Sequence, residues 1–309
     1  MLSITDVSFS YDSNKTLKNI SFLVEKGQHV SILGESGSGK STLLKLIYGL
    51  FDLDEGEIFW NKINILGPKY NLVPGMPFMK YLAQDFDLMP FTTVSENIGK
   101  FLSNFYPELK QKRINELLDL VEMAEFSNVM VKNLSGGQMQ RVAIARVLAL
   151  EPEVLLFDEP FSHIDNSRKN NLRRRVFNYA KKKKITCIVA THDIDDALSF
   201  SNKIIILKNG ELIEENAPEI IYNKPSSYYI ASLFGDVNEI KINSFCHFIY
   251  PHQLEVSSNF DFEVCVKNSY FKGGYFLIES ELNNSPVYFQ HFSSIETDSV
   301  VGLKIKKDL

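Results

Sequence analysis

Apolar and polar residues alternate through the opening stretch of the chain: Ile4, Val7 and Phe9, then Leu17, Ile20, Phe22 and Val24, with breaks at Asp12-Ser13-Asn14 and at Gly27. A period of two predicts a twisted antiparallel lead-in of strands. Val30-Ser31-Ile32-Leu33 then runs into a glycine-rich segment from Gly34 to Thr42, after which Leu43, Leu44, Leu46 and Ile47 recur at helical spacing. The order is strand, glycine loop, helix. Residues 93–150 carry mostly helical periodicity, as in Ile114, Leu117, Leu118 and Val121, and later Val142, Ile144, Ala145 and Leu148. Two short apolar runs, Val154-Leu155-Leu156-Phe157 and Ile185 to Ala190, are separated by a basic helical stretch. They read as buried parallel strands joined by a helix. Ile204 to Leu207 and Glu211 to Ile213 flank Asn209-Gly210, a hairpin signal in which the Asn-Gly pair supplies the left-handed turn.

After Gly235-Asp236 the texture changes to short aromatic-rich strand candidates: Phe245 to Tyr250, Phe260 to Val266, Tyr275 to Ile278 and Val287 to Phe289. We place a domain boundary there, giving an α/β domain over 1–235, with a helical subdomain near 93–150, and a small β-rich domain over 236–309. The length of 309 residues suits such a pair, and a charged fraction of 23% rules against whole-chain disorder. No apolar stretch approaches the roughly 20 residues of a membrane-spanning helix, and Met1 to Asp6 lacks the build of a signal peptide. The chain reads as a cytosolic protein or the cytosolic part of something larger. Cys187, Cys246 and Cys265 have no close pairing, so they are expected as reduced thiols in strands.

The candidate chemistry begins at Gly34-Glu35-Ser36-Gly37-Ser38-Gly39-Lys40-Ser41, which fits G-x-x-x-x-G-K-[ST] and is followed by Thr42. In that pattern backbone N–H groups and a helix N-terminus surround a polyphosphate, the lysine reaches its terminal phosphates, and the hydroxyl of Ser41 ligates Mg²⁺. Phe157-Asp158-Glu159-Pro160 closes a buried strand, which puts two carboxylates at the edge of a parallel sheet where ligands bind. Asp158 is expected to hold Mg²⁺ and Glu159 to orient or deprotonate an attacking water. Leu134-Ser135-Gly136-Gly137-Gln138 precedes a helix and makes a second anion site, far along the chain from the first. One nucleotide cannot need both within one subunit. The second site is therefore expected to cap the nucleotide of another copy of the chain.

With these motifs in place the chain resembles the nucleotide-binding subunits of ABC transporters over residues 1–235. The resemblance implies a P-loop NTPase fold with an antiparallel β subdomain and a helical subdomain, binding ATP with Mg²⁺ as a homodimer. It also implies roles for single residues: Tyr11 stacking on adenine, Gln84 touching the metal, His192 contacting the γ-phosphate and Asp165 lying at the dimer seam. The family pattern Ser-Ala-Leu-Asp reads Ser162-His163-Ile164-Asp165 here, which alters seam packing rather than chemistry. Leu72-Val73-Pro74-Gly75 stands where many relatives carry a basic pair. Asp87 to Ile98 looks like the segment that importers place against the permease, and Ile249 to Leu254 is similar to part of the OB-like domain that ends many importer ATPases. The implied partners are an integral membrane permease and a solute-binding protein acting through it, at the inner face of the cell membrane.

Charge adds one cluster. Nine basic residues (Arg168, Lys169, Arg173, Arg174, Arg175 and Lys181 to Lys184) accompany a single acid between 165 and 184. We read the run as a solvated helix face, with anionic lipid or nucleic acid as the alternative. The tail is acidic, which argues against a nucleic-acid groove there. A soluble ABC-type ATPase acting on DNA or ribosomes is the competing reading, but the chain shows neither long heptads nor a second cassette.

Overall fold

The computed structural model describes residues 1–242 and 245–306, and the chain divides into two compact units, Met1–Pro218 and Glu219–Leu309. In the first unit β1 (Leu2–Ser10), β2 (Lys15–Val24), β4 (Glu55–Trp60) and β5 (Ile63–Asn64) form an antiparallel sheet in the order β2-β1-β4-β5. The predicted lead-in is thus present, extended by β4 and β5. A second sheet takes β3 (His29–Leu33), β6 (Met79–Leu82), β7 (Val154–Asp158), β8 (Thr186–Ala190), β9 (Lys203–Lys208) and β10 (Glu211–Asn216) in the order β10-β9-β3-β8-β7-β6. Five of these strands run parallel; β10 is antiparallel to β9 across Asn209-Gly210, both at positive φ.

The apolar runs of β7 and β8 are continuous because both faces of this sheet are covered. Alternate side chains serve different cores. Leu155, Phe157, Cys187 and Val189 pack with the helical side, while Val154, Leu156, Ile188 and Ala190 pack toward the antiparallel sheet and α1 (Lys40–Tyr48). The helical block contains α2 (Val94–Gly99), α3 (Pro107–Leu120) and α4 (Gly136–Leu148), with short 3₁₀ turns between. Asn97, fully buried, accepts from the Met89 amide and donates to the Met89 carbonyl, so its side chain fixes the loop before α2.

α5 (Asn166–Lys182) corrects the reading of the basic run. Leu172, Val176, Phe177 and Ala180 are buried, and Arg173 shares their face at 2% exposure. Its guanidinium meets Asp193 and Asp196, the latter at 2.6 Å, beside α6 (Ile194–Phe200). Only part of the run is solvated.

In the second unit, α7 (Pro218–Asn223) and α8 (Tyr228–Ser232) precede β11 (Asn238–Ile242) and β12 (Phe245–Ile249), which pair as a hairpin. β13 (Leu254–Val256), β14 (Phe262–Phe271), β15 (Phe276–Leu282), β16 (Ser285–His291) and β17 (Val300–Ile305) form an antiparallel sheet in the order β13-β17-β14-β15-β16. Its edge strands β13 and β16 lie near one another, so the sheet curls over a core that includes Val266, Ile278, Phe289 and Leu303. The structural division comes before the change of texture at 236. Tyr222 explains why: its ring stacks on Tyr250 at 4.6 Å and meets Phe234 edge-on, tying the helices to the β module. All three cysteines are free and lie in strands; Cys187 is buried, whereas Cys246 is exposed.

Candidate functional site

The chain crosses the C-terminal edge of the parallel sheet four times at neighbouring strands. β3 delivers the glycine loop, β8 delivers His192, β7 delivers Asp158 and Glu159, and β6 delivers Gln84. A cavity of about 530 Å³ opens there, lined by Thr16, Ser36, Gly37, Gly39, Lys40, Ser41, Thr42, Gln84, Glu159 and His192. That edge is where open α/β sheets place ligands.

The loop is shaped by its glycines. Gly37 sits at φ 81° with open space where a Cβ would be, and Gly39 at φ 104° would drive a Cβ to 2.6 Å from Leu17. Gly39 also starts α1 with no side-chain cap and no acidic residue in the first turn. The N-terminal N–H groups of a helix left this way, together with its dipole, favour an anion. Lys40 is buried, and its Nζ donates to the carbonyls of Gly34 and Glu35 at 2.8 Å each. Burial lowers its pKa, while Glu159 and Asp158 pull the other way. An ammonium so placed gains from an anionic ligand.

Ser41 Oγ donates to Asp158 Oδ1 at 2.9 Å, and Tyr81 OH donates to Oδ2 at 3.0 Å. Burial raises the Asp158 carboxyl above its ordinary value despite those two bonds, so a cation beside it would favour the ionised form. The donor set suits Mg²⁺: hard oxygens from a hydroxyl and a carboxylate, with Gln84 on the same cavity wall. Among the described residues no group of three or more His, Cys, Asp or Glu gathers to cage a metal.

Glu159 follows with a left-handed backbone, φ 51°, and its Oε1 lies 3.0 Å from His192 Nδ1. Its amide donates to Ala190 O at 2.9 Å, locking β7's exit to β8. Tyr11 stands half exposed at the rim, edge-on to Phe9 and Phe51, with its hydroxyl 3.3 Å from Thr42 Oγ1. Its ring presents a flat apolar surface beside the phosphate loop.

Ser135, Gly136, Gly137 and Gln138 do not line this cavity. Ser135 caps α4 through a reciprocal capping box with Gln138, the side chains bonding each other's amides at 3.3 and 2.8 Å, and Ser135 is exposed. Asp165 is exposed ahead of α5 and stands apart from the cavity as well. Ile164, by contrast, is buried in the core, and His163 sets its ring edge-on to Phe86 at 5.3 Å. The altered pair at 163–164 therefore contacts its own subunit.

Four residues near the site escaped the sequence reading. Thr16 lines the cavity from β2, Tyr81 holds Asp158, Gln140 bonds the Glu159 carbonyl, and Arg173 braces Asp193 next to His192. Only Arg173 left a signal, since it falls four residues before Phe177 on an apolar stripe.

Residues 17–162 match the model of the ABC transporter family. The chain is 39% identical over 243 residues to the spermidine/putrescine import ATP-binding protein PotA of Thermotoga maritima, covering 78% of this chain and 65% of that protein. It is 30% identical over 276 residues to the Fe(3+) ions import ATP-binding protein FbpC of Photobacterium profundum, covering 85% and 77% respectively. Among solved structures, the dimeric post-hydrolysis state of the ATP-binding cassette MJ0796 bound to ADP and Pi superposes with a TM-score of 0.62 at 32% identity. That match covers 71% of this chain and 99% of the cassette.

Proposed function

Since this chain belongs to the ABC transporter family, we propose that it is an ATP-hydrolysing subunit. It dimerises around two Mg-ATP and energises import through a separate membrane permease. The observation that carries the reading is the convergence of the glycine loop, Glu159, His192 and Gln84 on one cavity at the sheet edge, with Asp158 bonded to the Ser41 hydroxyl in its wall. Lys40 and the N-terminus of α1 hold the phosphates. Ser41, Asp158 and Gln84 would hold Mg²⁺, which supplies charge neutralisation on the phosphate oxygens. Glu159 orients a water and accepts its proton, and the bond to His192 fixes the carboxylate for that task. Tyr11 supports the adenine.

The separation of Ser135–Gln138 and Asp165 from the cavity favours a second copy that contributes them across a seam. Import rests on the named relatives, with a solute-binding protein delivering cargo to the permease. Among the described residues no helix is long and apolar enough to cross a membrane, so attachment at the cytoplasmic face falls to the permease. The second unit, from Glu219 on, regulates or steadies the dimer.

The test is Glu159→Gln, which keeps shape and hydrogen bonding but removes the basic carboxylate. Expected is retained ATP binding, turnover lowered by about 10²-fold or more, and an ATP-dependent dimer on size-exclusion chromatography. Wild-type turnover in this variant would remove Glu159 from the mechanism.

A further inference from the structure

Gln140 is 1% exposed, yet it is a polar side chain on the inward face of α4. Its Nε2 donates to the Glu159 carbonyl at 3.0 Å, and its Oε1 accepts from the His163 amide at 3.0 Å. Ser162 Oγ also donates to the Glu159 carbonyl at 3.1 Å and lies 3.0 Å from His163 Nδ1. One turn earlier on α4, Gly137 approaches His163 so closely that a Cβ would meet its carbonyl at 2.8 Å. The backbone of His163 is thus held at its amide by Gln140 and packed at its carbonyl against Gly137.

The held element is strained. Glu159 takes a left-handed backbone, which is unfavourable for a non-glycine residue and persists only where the surroundings over-determine it. Its amide is fixed by Ala190, and its carbonyl by Gln140 and Ser162. A carboxylate one residue past a buried strand depends on that backbone for its aim.

We propose that Gln140 is a positioning residue that aims the Glu159 carboxylate and ties it to the segment 162–165. This rests on the reading of Glu159 as the hydrolytic base. Gln140 stands on the same helix whose N-terminus, Ser135–Gln138, serves the opposite nucleotide in the dimer. Movement of α4 on closure of one site therefore reaches the base of the other through one side chain. His163 extends the link to the Gln84 loop through its contact with Phe86.

The experiment is Gln140→Met, close in shape but unable to make either bond, read beside Gln140→Glu, which keeps the acceptor for the His163 amide and loses the donor to Glu159. Both are assayed for kcat, KM for ATP, cooperativity in ATP and thermal melting. A displacement of the base by a fraction of an ångström predicts kcat lowered by about 10- to 100-fold, with KM within about twofold and a Hill coefficient falling toward one. The kcat loss alone, at constant KM, is the signature that a merely structural role would not produce. If Gln140→Met does not fold, Gln140→Glu is expected to show the same split. Wild-type kcat in either folded variant overturns the proposal, as does a parallel loss of binding and turnover. Absence of hydrolysis by the unsubstituted chain would instead sink the ATPase reading itself.

Discussion

Replacing Arg173 with Met tests the physical reasoning where the sequence was hardest to read. The guanidinium is 2% exposed and faces three carboxylates: Asp193, which also pairs with Lys169 at 2.8 Å, the exposed Asp195 at 3.6 Å, and Asp196, itself 2% exposed. Met fills the volume, leaves Asp193 its lysine, and strips Asp196 of its buried cation while keeping the hydrogen bond it accepts from Thr191 Oγ1 at 3.0 Å. Breaking one side of a buried ion pair costs about 3–5 kcal/mol. For a unit of this size that lowers the melting midpoint by roughly 10 °C. The pH dependence has a definite sign. Burial already pushes the Asp196 carboxyl up to about 6, against the pull of Arg173. A carboxyl raised above its unfolded value contributes stability that is full below about pH 4 and lost as pH rises through the folded value. Removing Arg173 raises that value further, so the deficit of the variant should be largest near pH 7.5 and shrink toward pH 5.5. Adding Asp196→Asn should recover much of the loss at pH 7.5. Thermal and chemical denaturation of both variants at the two pH values measure this. A loss under about 1 kcal/mol, or one that does not change with pH, would refute the claim that Asp196 is left as an uncompensated buried charge.

Two further outcomes follow from the site and the division of the chain. Lys40 is held by two carbonyls in a setting that lowers its pKa, so Lys40→Met should leave the ligand-free melting temperature equal or higher. It should also abolish the rise given by Mg-ATP, about 3 kcal/mol at a hundredfold excess over Kd in the unsubstituted chain; an undiminished ATP shift would show that Lys40 does not hold the nucleotide. Truncation after Pro218 should leave a monodisperse protein with basal hydrolysis, because every cavity-lining residue lies before 193, whereas truncation after Gly235 should aggregate, since it uncovers the face of Tyr222 that stacks on Tyr250. Light scattering and ATPase assays on the two lengths separate these cases.

Much of the site was legible because its chemistry is local. A glycine loop must be contiguous to wrap a phosphate, and Asp158-Glu159 must follow a strand to reach the sheet edge. What the sequence concealed is non-local. Tyr81 reaches Asp158 across two neighbouring strands, and Gln140 reaches Glu159 from a helix that looks complete without it. Arg173 hid in a run of like charge, although Val176, Phe177 and Ala180 mark its face as apolar and Asp193 and Asp196 supply its partners. In the tail, strands were legible from aromatic alternation, but β11, β13 and β17 were not. The division into compact units at 218/219 was hidden for a similar reason: ring stacking between Tyr222 and Tyr250 spans residues that share no local pattern.

The central claim is that ATP is hydrolysed between two copies of this chain, each lending Lys40 to one nucleotide and Ser135 to the other. Lys40→Met and Ser135→Arg should each be inactive alone, the first by losing binding and the second by blocking closure. Mixed in equal amounts with free exchange, a two-fold symmetric seam gives heterodimers carrying one intact composite site, so activity should return, to at most about a quarter of the unsubstituted level where the two sites are coupled. No recovery at any ratio, with heterodimers demonstrated by differential tagging, would contradict the shared site.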